Sequence, residues 1–273
     1  MKLGLINSAW LGTHVSLEEG IRNTKKLGFD TLDLQLDPLD VSPKDLRLAR
    51  EVAEEVGLPI VSVCCVAPGL IDINPPVRAY NLDRVRRHLD LVYGLGGRNL
   101  LLVLGEYIWQ REVIPPEVQW GWAVEGLRDL GRHAADLGLE IALELEPFDE
   151  SLLNSVERMA AFVDEVAVPQ VRANCDISHL HLVNTPFEDV AKLAGRIAHV
   201  HLSDCDGKVH GDLPPGRGCT PIKEYLAAIR DTGFDGVVSI ELEFSPEPSR
   251  ILDWVTEAYE QTDRIMRELN CRA

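Results

Sequence analysis

The sequence predicts one (β/α)8 barrel, a TIM barrel of the α/β class, that occupies residues 1–273. Three observations support this fold. Short apolar runs alternate with longer amphipathic segments along the whole chain. The eight resulting pairs recur about every 34 residues, the spacing expected when crossover helices join parallel strands. No linker or change in composition divides the chain.

The eight predicted strands are short and largely apolar, as expected for strands that are covered on both faces. They are Lys2–Asn7, Thr31–Leu36, Pro59–Cys65, Asn99–Leu104, Leu139–Leu145, Val171–Cys175, Ile197–Leu202 and Val237–Ile240. The seventh strand ends at Leu202, and the polar residues His201, Ser203 and Asp204 lie at this end. A histidine at the end of a buried strand is unfavourable without polar partners, so we expect the functional site to form around it.

Helix signals separate the strands. Ser16, with Glu19 three residues later, forms a capping box for a helix that runs to Leu27 before Gly28. Ser42-Pro43 begins a second helix, which ends at Val56. The remaining predicted helices are Val77–Tyr93, Glu117–Leu137, Ser155–Val166, Pro186–Leu193, Pro221–Thr232 and Ile251–Leu269.

An open, doubly wound sheet is the alternative fold for this alternation of strands and helices. A sheet of that kind that binds dinucleotides carries a glycine-rich fingerprint directly after a strand. The glycine-rich run of this chain, residues 94–97, precedes the fourth strand, where a helix is expected to end. The barrel is therefore the favoured fold.

Composition excludes several classes of partner. The 27 basic and 44 acidic residues leave a net charge of −17, which repels phosphate backbones, so no nucleic-acid partner is expected. No run of about 20 apolar residues indicates a membrane span, and the N-terminus lacks the pattern of a signal peptide. The six cysteines show no zinc-ribbon spacing, so free thiols in a reducing cytoplasm are expected.

Acidic and histidine side chains occur where the last four strands end. They are Glu144, Asp176, His201 and Glu241. Consecutive strands are neighbours in a barrel, and barrel enzymes place their chemistry at the carboxyl ends of the strands. Three carboxylates would repel one another without a cation, and with one imidazole they suit a divalent metal. The sequence therefore predicts one bound ion at this end, with Mn²⁺ favoured over Mg²⁺, Co²⁺ or Zn²⁺.

Several nearby residues leave alternatives open. Glu146 alternates to the same side as Glu144, and Glu243 to the same side as Glu241. We favour Glu144 and Glu241 as ligands, with Glu146 either on the substrate side or supporting a ligand. Asp33 and Gln35 at the end of the second strand either line the pocket or lie on the solvated rim, and we favour the rim. Asp204 either orients His201 or caps the loop that follows it.

The motifs from residue 138 to residue 243 resemble those of the xylose isomerase-like barrels. That superfamily includes ketose 3-epimerases, inosose dehydratases, hydroxypyruvate isomerases and endonuclease IV. The resemblance covers most of the chain and rests on the order of five motifs. They are Ala142-Leu-Glu-Leu-Glu-Pro147, Asp176-Ile-Ser-His179, His199-Val-His201-Leu-Ser-Asp204, Gly216-Arg-Gly218 and Gly236-Val-Val-Ser-Ile-Glu241.

In the epimerase branch of this family, the residues that match Glu144, Asp176, His201 and Glu241 bind one divalent metal. The resemblance implies that Glu144 and Glu241 also act as acid and base on opposite faces of a sugar. It implies that His179 and Arg217 contact substrate, and His210 matches a metal ligand of the endonuclease branch, so we place it near substrate. Histidines that the endonuclease carries after the third and fourth strands are missing here, which argues against three zinc ions.

Trp109 lies in the long loop after the fourth strand. Sugar faces stack well on tryptophan, so this side chain is a candidate platform for substrate; the alternative is that it packs under the fourth helix.

The resemblance implies a metal-dependent sugar isomerase or epimerase. The metal would stabilise the enediolate that forms when the carbon next to the carbonyl of a ketose or keto-cyclitol loses its proton. The alternative is a metal-dependent dehydratase or lyase that acts on an inosose or a 3-keto-glycoside, and a non-catalytic sugar-binding barrel is a further one. The expected partners are a small sugar or cyclitol and other copies of the chain, in a dimer or tetramer.

Overall fold

The computed structural model describes residues 1–105, 114–243 and 245–273. Eight parallel strands form a closed barrel in the order β1 to β8, and β8 pairs with β1. The strands are β1 Lys2–Ile6, β2 Thr31–Leu34, β3 Ile60–Val66, β4 Asn99–Val103, β5 Glu140–Leu143, β6 Val171–Asp176, β7 Ile197–Leu202 and β8 Val237–Ile240. This topology confirms the predicted (β/α)8 barrel.

Helices follow the strands and cover the outside of the barrel. They are α1 Leu17–Leu27, α2 Pro43–Val56, α3 Pro75–Gly94, α4 Pro116–Leu137, α5 Val156–Val166, α6 Ile177–Leu182, α7 Ile222–Asp231 and α8 Ile251–Glu268. The predicted caps are confirmed. Ser16 and Glu19 form both hydrogen bonds of the capping box, and the Ser42 side chain accepts from the backbone N–H of Asp45.

The sixth helix differs from the prediction. Phe187–Leu193 is a 3-10 helix, and a short α-helix, α6, precedes it and begins directly after Asp176. Six residues are less than two turns, too few to show a helical period in the sequence. Four predicted strands also end earlier than expected: β1 and β4 end one residue early, at Ile6 and Val103, and β2 and β5 end two residues early, at Leu34 and Leu143.

The two sides of the strands differ in polarity. Outward-facing side chains such as Leu32 and Leu34 pack with Ile21 and Val52 of the helices in an apolar layer. The interior is largely polar, because the buried polar side chains of the strands include Thr31, Asp33, Ser62, Asn99, Asn174, His199 and Ser239. TIM barrels are more often filled by branched apolar residues. A polar layer therefore lies beneath the carboxyl ends of the strands.

Two further expectations concern the environment of the chain. No helix in the described residues is long and apolar enough to cross a membrane. All six cysteines lie in the described ranges, and each is a free thiol.

Candidate metal and active site

The four predicted ligands meet at the carboxyl end of the barrel. Glu144 follows β5 directly, Asp176 ends β6, His201 lies in β7, and Glu241 follows β8. One ligand atom each from Glu144, Asp176 and His201 lies within 4.8 Å of the other two. Glu241 joins this group, because its Oε2 is 3.3 Å from Nδ1 of His201. Neighbouring strands thus bring together four side chains that are far apart in the sequence.

A residue of β6, Asn174, fixes the side chain of Glu144 by hydrogen bonds. The side-chain amide of Asn174 donates to both of its carboxylate oxygens, at 2.8 and 2.9 Å. Oε2 of Glu144 also lies 3.6 Å from Nδ1 of His201. The carboxylate is 4% exposed, so its orientation depends on these contacts.

Asp176 uses its two carboxylate oxygens differently. Oδ1 accepts from the Ser178 hydroxyl at 2.7 Å and from the backbone N–H of His179 at 2.8 Å, so it caps the first turn of α6. Oδ2 is buried and has no hydrogen-bond partner among the described residues. The short helix thus fixes one oxygen and leaves the other for a ligand.

His201 is fully buried, and neither of its ring nitrogens has a hydrogen-bond partner in the described part of the chain. Burial and the nearby His199 lower the pKa of His201 to about 3, so the imidazole is neutral. A neutral imidazole is the form that binds metals. Leaving both nitrogens of a buried ring unpaired is unfavourable, so the ring requires a partner that the described side chains do not supply.

The acidic groups of the site repel one another. Burial, followed by the charges of Asp176 and Glu146, raises the pKa of Glu144 well above its usual value. Burial and the charge of Asp212 act in the same direction on the pKa of Glu241. A divalent cation would relieve this repulsion and satisfy Asp176 Oδ2 and one nitrogen of His201. The residues present therefore fit a divalent metal ion.

Two histidines lie beside the four ligands. His179 Nδ1 is 2.6 Å from the backbone carbonyl oxygen of Leu145, so this nitrogen carries the proton and donates. His179 Nε2 lies 2.8 Å from Nε2 of His210, which is also 3.1 Å from Oδ1 of Asp212. Burial lowers the pKa of His210, but Asp212 and other nearby acids outweigh it and raise that pKa to about 9. His179 and His210 therefore form one polar wall of the site.

The other predicted substrate-binding residues have different positions. Glu146 lies close enough to contribute to the raised pKa of Glu144. Arg217 is not brought to the ligands: its guanidinium donates to Glu257 of α8 and lies over the Trp254 ring. Trp109 lies outside the described residues. The roles of Glu146, Arg217 and Trp109 stay predictions.

Sequence reasoning missed one polar residue beneath the site, Asn174, and left alternatives open for Asp33 and Asp204. Asn174, which holds Glu144, was not singled out, although it precedes Asp176 by two residues and therefore faces the same side. Of the two alternatives for Asp33, the favoured solvated rim is wrong: Asp33 is 0% exposed, and its Oδ2 lies 2.8 Å from Nε2 of His199. Asp204 caps the following loop, since its oxygens accept from four backbone N–H groups of residues 205, 216, 218 and 220.

The chain is similar to proteins of known activity. It is 31% identical over 261 residues to a D-psicose 3-epimerase from Enterocloster bolteae, an alignment that covers 88% of this chain and 82% of that protein. It is 24% identical over 278 residues to an inosose isomerase from Bacillus velezensis, with 97% of each covered.

Solved structures show the same fold. A crystal structure of the IOLI protein with a bound zinc atom superposes with a TM-score of 0.83 and 20% identity. The superposition covers 98% of this chain and 99% of that one. The model of the family described as the xylose isomerase-like TIM barrel matches residues 21–265. The chain therefore belongs to the xylose isomerase-like TIM-barrel family, as its motifs indicate.

Proposed function

We propose that this protein is a divalent-metal-dependent sugar isomerase or epimerase that acts on a ketose or a keto-cyclitol. The observation that carries the proposal is the approach of two carboxylates to one imidazole. Oε2 of Glu144 and Oε2 of Glu241 lie 3.6 and 3.3 Å from Nδ1 of His201. They follow β5 and β8, the first and last of the four strands that supply the site. A carbon between two such groups can lose a proton to one and regain it from the other.

Glu144, Asp176, His201 and Glu241 would hold the metal, and we propose Mn²⁺, with Mg²⁺, Co²⁺ and Zn²⁺ as alternatives. Three carboxylates and one imidazole are donors that hard or borderline divalent ions accept. When bound, the ion supplies Lewis-acid chemistry that stabilises negative charge on a substrate oxygen.

The side chains of this protein divide the remaining work. Glu144 and Glu241 exchange protons with the carbon next to the substrate carbonyl, and the amide of Asn174 keeps the Glu144 carboxylate in one plane. The Nε2 atoms of His179 and His210 lie 2.8 Å apart. The two rings present a fixed polar wall to the substrate hydroxyls. Such fixed groups position the substrate without reorganisation during the reaction.

Similarity to other proteins supports the substrate class. A D-psicose 3-epimerase and an inosose isomerase are among the relatives of this chain. Epimerisation, isomerisation and dehydration all begin with removal of the same proton, and they differ in where the proton returns or in whether a β-hydroxyl leaves.

Hydrogen exchange in heavy water tests the proposal directly. The protein is incubated with Mn²⁺ in D₂O with a panel of ketoses and inososes, and the sugars are analysed by NMR. We expect deuterium at the carbon next to the carbonyl and a pair of sugars in equilibrium. A single absorbing enone product would replace the isomerase with the dehydratase. Binding of sugar without deuterium incorporation in any compound would leave a non-catalytic sugar-binding barrel.

We further propose a homo-oligomer, a dimer or tetramer, in the cytoplasm. The six free thiols support a reducing compartment. Sedimentation equilibrium measures the number of subunits, and a monomer across the working concentration range would contradict the proposed assembly.

A further inference from the structure

Asp33 in β2 carries a carboxylate that is fully buried in the barrel interior. Among the described residues, its ion-pair partner is the imidazole of His199 rather than a lysine or arginine. His199 lies in β7, which does not neighbour β2 in the barrel, so the contact crosses the interior. A buried carboxylate is strongly disfavoured unless its oxygens accept hydrogen bonds. Both oxygens of Asp33 therefore need donors.

The first donor is His199. Its Nδ1 faces the side-chain amide nitrogen of Asn99 at 3.5 Å, and an amide nitrogen donates. Nδ1 is therefore an acceptor, so the ring proton lies on Nε2. Nε2 donates to Oδ2 of Asp33 at 2.8 Å. This bond fixes the carboxylate and leaves Oδ1, which is buried and has no hydrogen-bond partner in the described ranges.

The second donor is indicated by His201, which lies one inward-facing position further along β7. Its Nδ1 faces Glu144 and Glu241, so Nδ1 is the nitrogen on the ligand side. Nε2, on the other side of the ring, is buried and unpaired among the described atoms. One oxygen of Asp33 and one ring nitrogen each of His199 and His201 lie within 4.8 Å of one another. Asp33 and His201 are thus near neighbours but are not hydrogen-bonded in this structure, since Oδ1 of Asp33 and Nε2 of His201 both lack a partner among the described residues.

We propose that Asp33 is a positioning residue for the metal site: when the ion is bound, its Oδ1 accepts the Nε2 proton of His201 while its Oδ2 keeps that of His199. This inference rests on the proposed metal site. Histidines that bind metals through one nitrogen commonly donate the other N–H to a carboxylate, which fixes the tautomer and makes the ligating nitrogen more basic. Asp33 would keep Nδ1 of His201 free of a proton and aimed at the ion.

The hydroxyl of Ser239 is the competing donor for Asp33. It is buried and lacks a partner in the described residues. Burial raises the pKa of Asp33, but His199, His201 and the Ser239 hydroxyl together outweigh burial and lower that pKa. Ser239 in β8 is also the direct strand partner of His201. A test of the proposal must therefore separate the effect of this hydroxyl from that of His201.

Metal affinity of three variants provides this test. Asp33→Asn removes the charge and keeps the shape, Ser239→Ala removes the competing donor, and Asp37→Asn makes the same change at a half-buried carboxylate that pairs with Arg84. The Kd of Mn²⁺ is measured by electron paramagnetic resonance, and the ligand field by the visible spectrum of the Co²⁺-loaded protein.

We expect Asp33→Asn to weaken Mn²⁺ binding by about 10- to 100-fold, as is usual when a carboxylate behind a ligating histidine is lost. The Co²⁺ spectrum should change, and the two control variants should retain the wild-type Kd and spectrum. Wild-type affinity in Asp33→Asn would overturn the inference, and so would an equal loss in Ser239→Ala. A wild-type protein that binds no metal would instead overturn the proposed metal site.

A measurement on the wild-type protein keeps the inference testable if Asp33→Asn does not fold. In the Zn²⁺-loaded protein, ¹⁵N–¹H NMR of the histidine rings locates each proton. We expect a slowly exchanging, strongly downfield proton on Nε2 of His201. A ring with its proton on Nδ1, or with a rapidly exchanging Nε2 proton, would contradict the proposed bond.

Discussion

Asn174 donates its side-chain amide to both carboxylate oxygens of Glu144, at 2.8 and 2.9 Å. The two residues lie on neighbouring strands, since Asn174 is in β6 and Glu144 follows β5. Both side chains are buried, so water does not compete for the bond. One amide therefore sets the plane of the carboxylate that is proposed both to bind the metal and to move a proton.

Replacing this amide should slow the reaction. A hydrogen bond to a charged group contributes about 1.5–3 kcal/mol, so Asn174→Ala should lower kcat by roughly 10- to 100-fold. The matched control is Asn154→Ala, because Asn154 is half-buried and its amide donates to the backbone carbonyls of Phe148 and Asp149 in the loop before α5. Steady-state kinetics on the sugar identified by deuterium exchange measures both variants. An unchanged kcat in Asn174→Ala would show that the bond does not serve the chemistry.

The proposed acid and base should be individually essential. Glu144→Gln and Glu241→Gln keep the shape of each side chain and remove its ability to accept a proton, so we expect turnover to fall by about 10²–10⁴-fold. Circular dichroism should show an intact barrel. Glu140→Gln is the control, since Glu140 lies at the opposite end of β5 and pairs with Arg98 and Arg172. Wild-type turnover in either site variant would remove the proposed proton exchange.

Metal should stabilise the folded protein. The ion binds the folded site and relieves the repulsion among its carboxylates, so Mn²⁺ at about 100 times its Kd should add about 2.7 kcal/mol to the free energy of unfolding. For a chain of this size that corresponds to a rise in Tm of roughly 5–10 °C. Differential scanning calorimetry with EDTA or with excess Mn²⁺ measures the shift.

Asp176→Asn is the matched variant for this stability experiment. It removes the charge and can keep the oxygen that accepts from the backbone N–H of His179, so we expect the metal-free variant to remain folded. The same variant should lose most of the stabilisation by Mn²⁺, because Oδ2 of Asp176 is a proposed ligand. A full Mn²⁺ shift in Asp176→Asn would place the ion elsewhere.

The loop after β7 should depend on one carboxylate. Asp204 accepts from four backbone N–H groups of residues 205–220 and is 1% exposed. Asp204→Ala would leave these donors unpaired, so we expect the free energy of unfolding to fall by on the order of 3 kcal/mol. The loop carries His210 and Asp212, so KM should rise as well.

Tryptic cleavage after Lys208 reports on the same loop. Cleavage should be faster in Asp204→Ala than in the wild type and unchanged in Asp231→Ala, which alters an exposed carboxylate on α7. Equal cleavage rates in the wild type and Asp204→Ala would mean that other contacts hold the loop.

Local signals in the sequence predicted the barrel and most of its elements. Apolar runs at a spacing of about 34 residues indicate parallel strands with crossover helices. The helix N-caps at Ser16 and Ser42 could be predicted because an N-cap depends only on residues within one turn. Helix α6 was missed because it is short and its cap, Asp176, also ends a strand. Element boundaries depend on packing, which one sequence does not encode locally.

The four proposed ligands could be selected from sequence because each lies at a strand end, and closure of the barrel brings neighbouring strand ends together. Contacts between side chains from distant parts of the chain could not be predicted in this way. Arg217 matches a substrate-binding position by motif, yet its guanidinium pairs with Glu257, 40 residues later. Which way a long side chain turns depends on the charges that the fold places around it.

By itself, the sequence determined the barrel, its family and the four residues proposed to bind the metal, because periodicity, caps and strand ends are local features. Only the tertiary structure decided that Asp33 is buried and bonded to His199, since 166 residues separate the two and they meet inside a closed barrel. The physical reason is that a polar side chain at a strand end can face either solvent or the interior. Closure of the sheet decides between these, because it places the imidazole of His199 next to the Asp33 carboxylate.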